Sequence, residues 1–399
     1  SSAASDVYKR QGYKYDLLII GGGISACVFA SKYLQNNTTK KIALIEVGRG
    51  LGGRSSTRIS KRFKGWRLNH GAPNLNICNS KNDFLLKSFI DGLLDNKLIK
   101  IDDSEIAYLD EEANLETIKN SEFNCGINYH SLFSMSQLSE NIIELNNLRG
   151  NINFYFETLI VDLEFDNDEW TLTSKNGDKF KSNYLVCSTN LLSHKRSLKI
   201  LKVDQIPLRK AIPKNKDKKI DLLLNFLDKQ TFIPRLTFLI YTNENYKFKD
   251  LYSKKYRFFY LEKSLENEYK IERVIFQSLD NNKLGIVLHS KNLGFINSYL
   301  NTKDENLFKQ KIFSNFNRLF TNNASVNQLT CNEEISIMRW RASQPSGCAV
   351  PLSLQFSRKY RIGFCGDWFE GEGFGRIEGS ILSALLLAEK IQNLSLIHI

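Results

Sequence analysis

Several short groups of residues in this chain have the types and spacing that hold a dinucleotide. Gly21-Gly22-Gly23-Ile24-Ser25-Ala26 follows an apolar run, Tyr15–Ile20, and opens an apolar-periodic segment, Cys27–Leu34. In a strand–turn–helix unit, Gly21 makes the tight turn, Gly23 lets the backbone approach a pyrophosphate, and the small Ala26 allows helix and strand to pack closely. The free N–H groups at the helix start, around Ile24 and Ser25, then face the phosphates. A second apolar run, Lys41–Ile45, ends in Glu46, 20 residues after Ala26. An acid at that distance hydrogen-bonds a ribose hydroxyl and disfavours a 2′-phosphate. Leu51-Gly52-Gly53-Arg54-Ser55 follows. Its paired glycines bring backbone close to a ligand, and Arg54 can neutralise a diphosphate.

The far end of the chain offers a second set. Arg361–Trp368 is a short apolar strand ending in Gly366-Asp367, followed by a glycine-rich stretch and an apolar helix that opens on Ile377-Glu378-Gly379-Ser380. Asp367 at the strand end can accept from a ribityl or ribose hydroxyl, and Gly366 permits close approach. The N–H groups near Ile377 stabilise negative charge on a reduced ring. Candidate catalytic residues are His70, as a proton acceptor or substrate contact, and Trp340 with Arg341, which can stack on and pair with an aromatic or anionic substrate. Structural alternatives stay open for all three. Cys348, eight residues after Trp340, resembles in position the cysteine that holds FAD covalently in monoamine oxidases; that likeness implies covalent attachment, with simple burial as the alternative. No cluster with metal-ligand spacing is present, and no metal is expected.

The elements needed to position these groups fit an α/β chain of 399 residues, 42% hydrophobic, which is long enough for two lobes. Three alternating runs around Thr158–Leu163 (with Val161), Trp170–Thr173 and Tyr184–Ser188 read as consecutive strands. In the region 191–338, Leu222–Leu227, Arg235–Tyr241, Tyr256–Leu261, Arg273–Leu279 and Leu284–His289 read as strands of a second sheet, with a helix near Glu305–Phe320. The resulting partition assigns 12–80, 126–190 and 339–393 to the dinucleotide-binding domain, 191–338 to a substrate domain, and 81–125 to an insertion of that domain. Ser1–Gln11 and Leu394–Ile399 read as adaptor-derived leader and tail.

No apolar run approaches the roughly 20 residues of a membrane helix, so stable membrane insertion is not expected. The net charge of +12 is spread among acids and asparagines, which argues for a solvated surface over a nucleic-acid patch. The seven cysteines lack C-x-x-C spacing and read as reduced thiols, which places the chain in the cytoplasm.

In its cofactor motifs the chain resembles the flavin-containing amine oxidase superfamily, in which an acid after the second strand, a G-G-R turn, a Gly-Asp strand end and an E-G-A/S helix start close an FAD site. That resemblance implies FAD, a Rossmann-type FAD/NAD(P)-binding domain with a second α+β substrate domain, and cofactor contacts at Gly52, Gly53, Arg54, Gly366, Asp367, Ile377 and Glu378, with Val161 meeting the adenine through its backbone. Within the superfamily, Gly53–Thr57, Asn69-His70-Gly71-Ala72, Arg339–Gln344 and Gly366–Ala384 are similar to the renalase-like group. The likeness implies hydride transfer to FAD from a small substrate of dihydronicotinamide type, with oxygen or another acceptor as oxidant. Pro73 and Asn74 replace the amide and aromatic that this group carries beside the flavin. Amine oxidation, desaturation and a non-catalytic binding role remain alternatives. A desaturase is expected to carry an apolar membrane-docking segment, which the sequence lacks.

Overall fold

Alternation along the first strand sets up two cores. In the computed structural model, Leu17 and Ile19 point to one side of Tyr13–Ile20 and Leu18 and Ile20 to the other, all buried. Ile42–Ile45 and Lys179–Cys187 repeat this pattern on either side, so the sheet is apolar on both faces, as a covered parallel sheet requires. The structure describes residues 13–78, 83–118, 125–147, 149–243, 256–278, 283–302, 304–321 and 334–396. The leader, the last three residues of the tail and Cys331 lie outside them.

The parallel order is Ile152–Tyr155, Ile42–Ile45, Tyr13–Ile20, Lys179–Cys187 and Ile362–Phe364. The chain winds outward on one side and returns on the other, so the carboxyl ends of Tyr13–Ile20 and Lys179–Cys187 flank a switch point, where such sheets bind ligands. Along its outer edge, Lys179–Cys187 pairs first with antiparallel Glu169–Ser174 and then, through its last three residues, with Ile362–Phe364. That arrangement delivers the C-terminal segment to the first glycine turn. Helices Ile24–Gln35, Phe84–Asp95, Met135–Glu144 and Ile377–Leu396 cover one face.

Leu222–Leu227 is not a strand. It lies within the helix Lys218–Lys229, capped by Asp217, whose side chain accepts from the N–H groups of Lys219 (2.8 Å) and Ile220 (3.2 Å). Ile220, Leu223, Leu224 and Leu227 form its buried stripe, the 3.6-residue period that outweighs the local apolar run. This helix packs into the core with Phe180, Leu185 and Ile362, against the first sheet rather than the second.

The second sheet has seven strands, ordered Glu334–Gly347, Gln230–Asn243, Lys283–Ser290, Arg273–Ser278, Tyr256–Leu261, Glu105–Leu109 and Leu115–Ile118. Helices Lys263–Tyr269, Leu293–Thr302 and Glu305–Thr321 cover its outer face over Phe238, Phe259 and Phe276. The ribbon Thr57–Ile59 with Arg67–Asn69 sits on its inner face through Trp66 and Leu68.

The cysteines are not all reduced. Antiparallel pairing of Leu75–Ile77 with Ile127–Ser131 brings Cys78 and Cys125 to a Cα separation of 5.6 Å, and they form a disulfide across 47 residues. Cys27, Cys187, Cys348 and Cys365 are free.

Trp170 is fully buried in the second core and donates its indole N–H to the Tyr360 carbonyl at 2.7 Å. Trp170→Ala should cost about 3–5 kcal/mol in urea unfolding. Phe84→Ala, at a side chain 82% exposed, should stay within about 0.5 kcal/mol of the parent.

Candidate active site

A cavity of about 560 Å³ opens between the carboxyl ends of the parallel strands and the inner face of the second sheet. Gly21 forms its floor at φ +104°, and a Cβ there would stand 2.8 Å from the Ser188 hydroxyl. The position therefore requires glycine on both conformational and steric grounds. Gly52 donates its N–H to the Gly22 carbonyl (2.9 Å), which joins the two glycine turns edge to edge. Gly71 is as constrained, since a Cβ there would overlap the Arg54 carbonyl oxygen at 1.8 Å.

Glu46 spans the loops below the cavity, accepting from the Gly22 N–H at 2.5 Å and from the Gly48 N–H at 2.6 Å. Each carboxylate oxygen retains a lone pair for a ribose hydroxyl. Arg54 and Asp367 form a bidentate pair at 2.6 and 2.7 Å that joins the N-terminal and C-terminal motifs. Arg54 is thus not held ready for a diphosphate alone; it also neutralises a buried carboxylate. Gly366 lies under the site at φ +150°, its N–H and carbonyl both bound to the Ser383 hydroxyl at 2.9 Å.

Gly21, Gly23, Ile24, Ser25, Glu46, Gly52, Gly53, Arg54, Asp367 and Ile377 all line the cavity. Ala26 is fully buried behind the turn, as its packing role demands. Val161 stands one step outside the wall, at a bulge where the ladder passes from Ile160 to Asp162, and Thr158, Leu159 and Ile160 line the cavity in its place. Glu378 does not line the cavity; it accepts from the Cys78 N–H (3.1 Å) and from Arg376 (2.5 Å).

His70 and Trp340 reach the cavity together, stacked with centroids 5.2 Å apart. Arg341 does not. The strand Glu334–Gly347 turns alternate residues to opposite faces, and with Trp340 inward Arg341 is exposed on the other side. Cys348 is also absent from the wall; its thiol contacts the Ala349 carbonyl.

The second sheet supplies wall residues that the sequence reading passed over as strand residues. Arg235, Thr237, Tyr260, Arg273 and His289 all face the cavity. Arg235 is engaged on every side, with Glu272 at 2.7 and 2.9 Å and with Ser343 (2.7 Å) and Gln344 (3.3 Å). Arg273 donates to His289 Nδ1 at 2.5 Å, and His289 Nε2 donates to the His70 carbonyl at 3.2 Å. That chain of donors fixes His289 as the neutral Nε2–H tautomer and braces the backbone of His70. In sequence these residues begin or end apolar runs, and a polar residue at alternate positions was the only signal.

Among the described residues, Ser188 Oγ, Thr237 Oγ1 and Trp368 Nε1 are buried polar atoms of wall residues with no hydrogen-bond partner. Native proteins satisfy such atoms, so this wall is built against a polar ligand. The glycine cradle, the Glu46 carboxylate and these donors and acceptors fit FAD.

Residues 19–91 match the model for an NAD(P)-binding Rossmann-like domain. No curated protein matches the chain. Among solved structures it is similar to a protein named as a protoporphyrinogen oxidase from Exiguobacterium sp. 255-15, with TM-score 0.63 and 12% identity over 96% of this chain and 99% of that one. Putrescine oxidase, solved as the wild type bound to putrescine, gives TM-score 0.63 and 10% identity over 96% and 100%. The fold is therefore a two-domain α/β architecture with a Rossmann-like domain, shared with these two oxidases.

Burial, with a smaller contribution from Arg58, pushes the His70 imidazole down to about 4 from an ordinary 6.5. Burial also lowers His130, His194 and, furthest, His289. The unfolded chain binds these protons first, so stability should fall as pH drops from about 6.5 towards 4. His70 alone should contribute about 3 kcal/mol of that loss. Urea midpoints across this range should fall less steeply for His70→Gln than for the parent.

Proposed function

We propose that this chain is an FAD-dependent oxidoreductase that removes a hydride from a small substrate seated between the glycine cradle and the second sheet. The observation that carries the reading is a single cavity walled by dinucleotide motifs from both ends of the chain and joined through Arg54 and Asp367. Gly21, Gly23, Gly52 and Gly53 would hold the pyrophosphate, Glu46 the ribose, and Asp367 with the start of the last helix the ribityl and ring end. When bound, FAD supplies a two-electron acceptor for the hydride.

The chain's own residues position the substrate. His70 is neutral near pH 7, and its Nε2 lies 3.4 Å from Ser56 Oγ. Loss of a hydride from a dihydronicotinamide leaves a pyridinium and releases no proton, so His70 acts on that substrate by contact and positioning. Trp340, stacked on His70, holds the imidazole in place and offers a face for a planar substrate. Resemblance to the renalase-like group supports a dihydronicotinamide as hydride donor. Cationic amines meet an unfavourable field from Arg273 on the same wall.

Anaerobic mixing of the FAD-loaded protein with dihydronicotinamide isomers should bleach the flavin's visible absorbance. His70→Gln should slow bleaching up to about 100-fold, through loss of substrate alignment, while FAD remains bound. Bleaching by amines alone would contradict the dihydronicotinamide assignment, and bleaching by neither class would contradict the oxidoreductase.

A further inference from the structure

Across the inner face of the second sheet runs a straight row of polar residues. Thr237 stands opposite His289, His289 opposite Arg273, and Arg273 opposite Tyr260, in register on four adjacent strands. All four side chains line the cavity. Such a row in an otherwise apolar sheet is costly to bury unless something pairs with it.

Charge balance identifies the missing partner. Glu272 is taken by Arg235 at 2.7 Å and by Lys291 at 3.2 Å, and Glu266 by Lys263 at 3.1 Å and Lys291 at 3.5 Å. Three cations of this cluster thus share two carboxylates, and Arg273 forms a salt bridge with neither, although it feels the charge of Glu272 through space. Its Nε goes to His289 and one terminal nitrogen reaches the Tyr260 hydroxyl at 3.4 Å. The other terminal nitrogen has no partner among the described residues. Two strands away, beyond His289, Thr237 Oγ1 is buried and has no partner among the described residues. The geometry points to an anion subsite: Arg273 and Tyr260 receive an oxyanion, carboxylate or phosphate, carried by a planar substrate whose ring lies against Trp340 and His70. The inference deepens the proposed reading, since it names the substrate class for the same cavity. It does not depend on FAD for its test.

Isothermal titration of the full-length protein, as purified and after FAD loading, would use four probes of one shape: benzoate, phenyl phosphate, benzamide and benzylamine. At least one of the two anions should bind about 10- to 100-fold more tightly than the neutral and cationic probes, the range expected of a charge-assisted pair. The better anion identifies the oxyanion as carboxylate or phosphate. Arg273→Gln should remove the preference, Arg273→Lys should restore part of it, and Tyr260→Phe should weaken anion binding without affecting benzamide. FAD uptake should be unchanged in Tyr260→Phe, which lies outside the glycine cradle. The subsite is overturned if benzamide or benzylamine binds as well as the anions, if no anion binds saturably, or if the preference survives in Arg273→Gln. Anion binding that depends on Arg273 in a chain that takes up no FAD would keep the subsite and remove the flavoenzyme reading.

Discussion

The pairing of Arg54 with Asp367 holds the site together. The two residues are 313 positions apart and meet in a bidentate contact at the floor of one cavity. Asp367 is buried, and a buried carboxylate without its cation is costly, so the C-terminal strand end cannot settle without the second glycine turn beside it. The same logic acts one layer down. Gly375 donates to the Asp367 carbonyl at 2.7 Å, fixing the loop that leads into the last helix. Glu46 ties the first glycine turn to the segment after the second strand through two backbone N–H groups. The cradle is thus preformed by charges and hydrogen bonds that do not need the cofactor, while its inward-facing polar atoms remain available.

The second sheet contributes differently. Its outer face is aromatic and covered by helices, and its inner face carries the polar row and the ribbon that positions His70. Gln277 holds both backbone groups of Asn69, and His289 holds the His70 carbonyl, so His70 is supported from the sheet whose inner face lines the cavity. Positioning by rigid strands suits hydride transfer, where the alignment of donor and acceptor carries much of the rate.

Local motifs were legible in the sequence because their chemistry is local. A glycine that must adopt positive φ, an acid at the end of a strand and a helix start need only their neighbours to be recognised, and Gly21, Glu46, Gly52, Gly53 and Asp367 all fall on the cavity. Long-range consequences were not legible. The disulfide of Cys78 with Cys125 depends on a strand pairing with no sequence signature. Arg273, His289 and Tyr260 form a row only once three strands are in register. Leu222–Leu227 misled because a short apolar run is shared by strands and buried helix faces, and the Asp217 cap that decides it lies outside the run. Arg341 failed on parity: one position along a strand reverses the face.

The most direct measurement is a titration of the purified full-length chain with FAD, followed by visible absorbance and compared with Gly21→Val. The parent should take up FAD stoichiometrically and retain it through gel filtration. The variant, whose side chain would meet Ser188 at a backbone angle valine rarely adopts, should take up none while keeping its fold. A parent chain that binds no FAD, or a Gly21→Val chain that binds it equally well, would contradict the account.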